Sequence, residues 1–385
     1  MNTKKDFLPS KRSLIEKFLV MDVLNEASNL EHSGKEIFHL ELGEPINFIP
    51  KKLTERLNQF NFSKIPGYTP SNGMRELREK LETYYLKKNI KVNADDIFIT
   101  VGSSGAFLLT FLTCFDPGNR VAIFSPTYPA YKNILSSVNI EVIEIHSKNK
   151  LFIDLDEIKN FKKIDGLIIS SPNNPNGQIF DEKELKFIYE FCLKNNIRLI
   201  SDEIYHGISF DKQTFSMREF GREVVVINSF SKFFCMPGWR LGWVIVPKKL
   251  VENFLRLSQN LFISCGSIAQ KLAIDSLDCV EEYKKITEIY KKNKDLVLDM
   301  LGKTSWNRFT RADGSFYTYI DISKYTTDSK KLVKKVLNEC GVALTPGIDF
   351  DAKNGNSTLR LSFSSNHDYL TNGMKKLTKW INQNY

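Results

Sequence analysis

From about residue 94 onward, short β-rich runs alternate with helical stretches, and this alternation constrains the fold more than any other feature of the chain. Residues 97–101 read as a strand, and Gly102-Ser-Ser-Gly105 then opens a helix that runs through 115. Strands follow at 120–125 and 166–170, an amphipathic helix at 182–195, and further strands at 198–201, 223–228 and 241–246. Such runs, separated by helices, predict an α/β fold: a three-layer arrangement whose mainly parallel sheet is covered on both faces.

Residues 280–301 keep helical periodicity for about six turns, long enough to bridge two domains. Beyond them, strands are expected at 314–320, 342–345 and 359–363, with helices at 329–340 and 368–381. That is the pattern of a smaller α+β domain. The first 45 residues hold one helix, at 14–30, and a short extended piece expected to fold onto this C-terminal part. The division is therefore a large domain at 46–285 and a small one made of 1–45 with 286–385.

The net charge of +9 hints at anionic ligands, yet the lysines (Lys183, Lys186, Lys284, Lys285) are scattered along helices instead of forming a basic stripe with aromatics. A nucleic-acid partner is not expected on that pattern. The six cysteines form no C-x-x-C pair and no metal-ligand spacing with the five histidines, so reduced thiols in a reducing compartment are expected. Residues 1–20 are charged and lack an apolar core of a leader, and the apolar stretch at 106–115 is half a membrane span. The reading is a cytoplasmic protein with no membrane partner.

The chemistry concentrates in Ser229-Phe-Ser-Lys-Phe-Phe-Cys-Met-Pro-Gly-Trp-Arg-Leu-Gly-Trp243. Ser229, Ser231 and Arg240 are donors of the kind that hold a phosphate, with Lys232 an amine placed to take an aldehyde carbonyl. The aromatic setting argues against a solvated loop. Ser229-Phe-Ser-Lys232 also matches the Ser-x-x-Lys of serine acyl-enzymes, but the Ser-Asp-Asn and Lys-Thr-Gly elements that accompany it are missing. Gly102-Ser103-Ser104-Gly105, after a strand and at a helix start, is a second anion seat. Asp202 ends an apolar strand in Asp-Glu-Ile-Tyr205, where a carboxylate can pair with a ring nitrogen or equally cap a helix. Ser171-Pro-Asn-Asn-Pro-Asn-Gly177 is a turn-rich loop able to offer an amide. Arg360, amid the strand-like Leu-Arg-Leu-Ser-Phe363, requires a carboxylate partner, either a bound substrate's or an internal one.

Taken together, Asn-Pro-Asn-Gly177, Asp-Glu-Ile-Tyr205, Ser-Phe-Ser-Lys232 and Gly-Trp-Arg240 resemble the class I/II aminotransferases of fold type I that depend on pyridoxal phosphate, and most of all their prokaryotic aspartate-aminotransferase-like branch. The similarity runs from Leu-Gly-Glu-Pro45 to Arg360. It implies that Lys232 holds the cofactor aldehyde and moves the Cα proton, that Asp202 pairs with the ring nitrogen, and that Asn174 and Tyr205 contact the ring hydroxyl. It implies a phosphate held by Ser103, Ser104, Ser229, Ser231 and Arg240, with Tyr128 stacked on the ring. Gly43, Asn174 and Arg360 would bind the substrate carboxylate. Tyr68, in Pro-Gly-Tyr-Thr-Pro70, would reach the phosphate of a neighbouring subunit, which implies a homodimer. Cis bonds are implied at Asn174–Pro175 and Ser125–Pro126.

The activity implied is ping-pong transamination between an L-amino acid and a 2-oxo acid, with aspartate or an aromatic donor and 2-oxoglutarate as the couple. The alternative on the same fold is a C–S β-lyase. A second cation for a dicarboxylate side chain is not assigned by the sequence; Lys11, Arg12 and Lys17 are its candidates.

Overall fold

Gly166-Leu-Ile-Ile-Ser170 carries no charged side chain, and a run of this kind is stable as a strand only where both faces are covered. The computed structural model describes residues 8–59, 61, 67–161 and 163–385; the first seven positions of the stretch read above for a leader lie outside them. Its strands are β1 (Phe38–His39), β2 (Ile97–Val101), β3 (Arg120–Ser125), β4 (Glu141–His146), β5 (Gly166–Ser170), β6 (Arg198–Asp202), β7 (Val225–Ser229) and β8 (Leu241–Ile245), then β9 (Tyr317–Asp321), β10 (Val342–Ala343), β11 (Thr345–Pro346) and β12 (Thr358–Ser362). The helices follow the same order. They are α1 (Leu19–His32), α2 (Lys51–Asn58), α3 (Arg75–Leu86), α4 (Gly102–Cys114), α5 (Ala130–Ser137), α6 (Glu182–Lys194), α7 (Val251–Leu261), α8 (Ser267–Ser276), α9 (Val280–Gly302), α10 (Ser329–Cys340) and α11 (His367–Asn384).

Seven strands form one sheet in the order β2-β8-β7-β6-β5-β3-β4. All run parallel except β8, which is antiparallel to both β2 and β7. Successive side chains alternate between two cores, as the pleat requires. Ile97, Ile99, Leu167, Ile169 and Trp243 enter one, while Phe98, Ile168, Ile227 and Val244 enter the other. Strand β4 escaped the sequence reading because Glu141 and Glu144 interrupt its apolar run. It is the sheet edge, where a partly exposed strand tolerates charge.

Helix α6 starts where its local sequence says it must. Asp181 accepts from the Glu184 N–H at 2.8 Å and Glu184 accepts from the Asp181 N–H at 2.7 Å, a reciprocal cap. Helix α1 does not. Expected at 14–30, it begins at Leu19, because no residue before it supplies a side-chain cap. The carboxylate of Asp349 takes that place, accepting from the N–H groups of Leu19 (3.1 Å) and Val20 (3.4 Å).

The C-terminal strands β11-β12-β9 make an antiparallel sheet, and β1 pairs in parallel with β10. The single strand expected at 342–345 is divided, since Val342–Ala343 pairs with β1 and Thr345–Pro346 with β12. Ala27 and Ile37 pack with Leu337 and Ala343, so the N-terminal segment lies on the C-terminal part. Among the described residues, no helix is long and apolar enough to cross a membrane.

Trp243, on the strand behind the 230–240 loop, is fully buried, donates its indole N–H to Tyr85 Oη (3.1 Å) and packs 4.9 Å from the ring of Phe230. Trp243→Ala is expected to destabilise the protein by about 3–5 kcal/mol. Urea unfolding followed by far-UV circular dichroism measures it, with the half-exposed Leu193→Ala expected within about 0.5 kcal/mol of the parent.

Candidate active site

Strands β5, β6 and β7 run in the same direction as β2, so Ser170, Asp202, Ser229 and the start of α4 lie at one edge of the sheet. That edge is where open parallel sheets place ligands. Side chains from it, from the N-terminal segment and from β9 and β12 enclose a cavity of about 290 Å³.

Lys232 projects into the cavity and donates from Nζ to the backbone oxygen of Gly43. Only glycine fits at 43, since a Cβ there would stand 1.7 Å from Tyr317 Oη. Burial pushes the Lys232 ammonium down to about 8, with Arg360 and then Arg240 adding to the same direction against Glu44 and Asp202. A neutral amine is therefore within reach near neutral pH.

The anion seat is assembled at the first turn of α4. Gly102 adopts φ +65, and a Cβ there would meet Arg240 Nη2 at 2.7 Å, so the guanidinium lies directly over this turn. Ser103, Ser104 and Ser231 line the same cavity. Uncapped N–H groups at a helix start and an arginine are the donors an anion needs. Ser229 differs from expectation. It lies behind the cavity wall, its hydroxyl donating to Leu241 O (3.0 Å) and accepting from Ser231 Oγ (2.9 Å), because it is the last residue of a buried strand. Tyr68 also lies outside the cavity, 85% exposed on the surface.

Asp202 is buried at the end of β6, and burial raises its carboxyl to about 6. Two donors oppose that rise: the hydroxyl of Tyr131 and the N–H of Ile204 at 3.1 Å. Tyr131 was missed in the sequence because it lies in the first turn of α5, far from any motif, where an aromatic reads as core. Tyr205 shares a hydrogen bond of 2.9 Å with Tyr317, a second residue with no sequence signal, on β9. Tyr128 lines the cavity edge-on to Tyr131, with ring centroids 5.5 Å apart.

Arg360 is 4% exposed and ties three segments together. It donates to Asn174 Oδ1 at 2.9 Å, to Glu41 O at 2.5 Å and to Thr345 Oγ1 at 3.3 Å. Its guanidinium carbon lies over the rings of Tyr317 (4.3 Å) and Phe350 (4.7 Å). The choice left open above closes on one side: among the described residues no carboxylate forms an ion pair with it, and its Nε has no hydrogen-bond partner. A buried guanidinium left in this state keeps a donor free for an anion. Lys11, Arg12 and Lys17 are exposed and none lines the cavity. Among the described residues the cis bonds are Ser125–Pro126 and Ser171–Pro172. Asn174–Pro175 is not one, and Pro175 lies in a turn closed by the Gly177 N–H on Asn173 O (2.9 Å).

The family model for aminotransferase class I and II matches residues 35–377. The chain belongs to the class I and II aminotransferases. It is 35% identical to a valine–pyruvate aminotransferase of Mycobacterium tuberculosis, over 96% of this chain and 97% of that one. A (5-formylfuran-3-yl)methyl phosphate transaminase of Methanocaldococcus jannaschii is 34% identical over 97% of this chain and 100% of its own length. In structure, an aminotransferase from Mycobacterium tuberculosis superimposes with a TM-score of 0.92 at 34% identity, covering 97% of this chain and 99% of the other. The Thermus thermophilus aspartate aminotransferase with maleate does so with 0.88 at 26% identity, over 96% and 99%.

These aminotransferases share fold type I and depend on pyridoxal phosphate. The donor set fits that cofactor: an amine at Lys232, an anion seat at α4 with Arg240, and a buried carboxylate at Asp202.

Two outcomes follow for this aminotransferase. Because the Lys232 amine becomes neutral as pH rises through about 8, loading of the apoenzyme with pyridoxal phosphate is expected to accelerate over that range and level off above about pH 9; stopped-flow absorbance tests it. Tyr131→Phe removes a donor that holds Asp202 down, so the acid limb of the activity profile should move up by roughly one pH unit. A limb that stays in place would show that Asp202 does not govern it.

Proposed function

We propose that this aminotransferase runs a ping-pong exchange between an L-amino acid and a 2-oxo acid, with Lys232 as its proton-transfer group. The observation that carries this reading is the buried pairing of an unneutralised Arg360 with a depressed Lys232 in one cavity. Arg360 and Asn174 hold the substrate α-carboxylate, which answers the orphaned Nε. Lys232 Nζ, released against Gly43 O, takes the proton from the substrate Cα as its neutral amine. Pyridoxal phosphate supplies the aldehyde carbon and the electron-withdrawing ring when bound. Ser103, Ser104, Ser231 and Arg240 hold its phosphate, with Ser229 orienting Ser231. Asp202, itself positioned by Tyr131, holds the proton of the ring nitrogen, while Asn174 and Tyr205 face the ring hydroxyl and Tyr128 its face.

The reading extends to assembly. Tyr68, Leu261 and Ile263 are exposed at 85%, 47% and 51%, and a second copy of the chain is the partner proposed to cover them, with Tyr68 completing its neighbour's phosphate seat. Residues 46–285 are proposed as the large domain, with 1–45 and 286–385 as the small one. A cytoplasmic location suits the six free cysteines, whose thiols burial holds in the neutral form.

Lys232→Ala is expected to bind the cofactor yet lose turnover by a factor of roughly 10²–10⁴ or more. The parent enzyme, given an amino acid and no acceptor, is expected to release a single equivalent of 2-oxo acid per site and stop. Continued release of pyruvate and ammonia from a thioether amino acid would instead identify a β-lyase. Normal turnover in Lys232→Ala would remove the assignment altogether.

A further inference from the structure

The cavity holds three cationic side chains, Lys232, Arg240 and Arg360, and each is already placed. Lys232 lies on Gly43 O, Arg240 over the α4 N-terminus, and Arg360 beside Asn174. Among the described residues of one chain, no fourth cation lines the cavity. The wall that continues from Arg360 is of a different character. Phe350 packs on the guanidinium at 4.7 Å, and Asp349 next to it caps α1 through the N–H groups of Leu19 and Val20. That cap brings Phe18, Val20 and Met21 to the cavity, with Phe18 packed 5.7 Å from Tyr128.

A substrate whose α-carboxylate pairs with Arg360 and whose α-amine faces Lys232 therefore meets an apolar wall with its side chain. A second carboxylate on that side chain would find no cation and would lie close to the Asp349 and Glu44 carboxylates. A cationic side chain gains little from Asp349, whose two oxygens are both committed to α1. Leaving a charge desolvated and unpaired is the larger penalty of the two.

We propose that this site selects substrates with uncharged apolar side chains, branched aliphatic, methionine-like or aromatic, over dicarboxylates, and that Asp349 is the positioning residue that holds the selecting wall in place. The proposal rests on the transamination reading. Because both halves of a ping-pong exchange use one pocket, it applies to the acceptor as well, so monocarboxylic 2-oxo acids are preferred to 2-oxoglutarate.

Two measurements on the cofactor-loaded enzyme test it. Calorimetric titration with unreactive carboxylates should show 4-methylpentanoate and 3-phenylpropanoate binding at least about tenfold more tightly than succinate. The absorption change of the cofactor with single donors should give leucine, methionine or phenylalanine a kcat/KM at least about tenfold above aspartate and glutamate. Met21 is 48% exposed at the rim, so Met21→Arg can add a cation there without disturbing the core. It should raise the succinate to 4-methylpentanoate affinity ratio at least about tenfold. Asp349→Ala should raise KM for leucine while kcat stays within about threefold, and Asp349→Asn, which keeps one acceptor, should recover most of the loss.

Tighter binding of succinate, faster reaction of aspartate or glutamate, or a Met21→Arg ratio equal to the parent's would overturn the proposal. A fall in kcat without a change in KM for Asp349→Ala would remove its positioning role. If no donor of either class moves the cofactor spectrum while 3-phenylpropanoate still binds, the pocket assignment stands and transamination fails.

Discussion

A guanidinium buried without a counter-ion is expensive, and the arrangement around Arg360 is what makes it tolerable. Its two terminal nitrogens donate to Asn174, Glu41 O and Thr345 while Nε stays unpartnered, and its face is covered by Tyr317 and Phe350. Those partners come from the loop after β5, the N-terminal segment, the C-terminal strands β9 and β11, and the turn that ends at Phe350. The site therefore exists only when all of them are docked. Neither Asn174 nor the two backbone and hydroxyl acceptors neutralises the charge, so the positive potential remains directed into the cavity. The same charge helps depress Lys232, which links the group that recognises a carboxylate to the group that moves a proton.

The large sheet and most of the site were legible in the sequence for a common physical reason. Strands covered on both faces must be apolar on both, so β2, β3, β5, β6, β7 and the antiparallel β8 announce themselves, and the residues at the carboxyl ends of the parallel ones are then fixed in place by topology. Asp202 ends β6, Ser103 and Ser104 open the helix after β2, Asn174 and Lys232 lie in the loops that leave β5 and β7, and Arg240 immediately precedes β8. What could not be read depends on contacts distant in sequence. The start of α1 is set by Asp349, some 330 residues away. Tyr131 and Tyr317 look like core aromatics until their hydroxyls are seen on Asp202 and Tyr205. Ser229 reads with Ser231 and Arg240 as a phosphate donor, and only the contacts of β7 show its hydroxyl on Leu241 O.

The two titrating groups of the site are moved toward one another by the same burial. Water exclusion lifts Asp202 to about 6 and lowers Lys232 to about 8, because in each case the charged form loses hydration. What keeps them from crossing is specific. Asp202 receives Tyr131 and the Ile204 N–H, which favour the carboxylate, while the carboxylates of Glu44 and Asp202 favour the Lys232 ammonium against the pull of the two arginines. Near neutral pH this leaves an anion at the foot of the cavity and an amine close to its own midpoint. A group poised near the working pH is the effective choice for accepting and returning a proton, since neither direction of transfer is strongly uphill. The charge asymmetry that recognises the substrate thus also sets the base. Changing the recognition pair at Arg360 must therefore alter proton transfer as well as binding, whereas the apolar wall built on Asp349 can vary with far less effect on the chemistry.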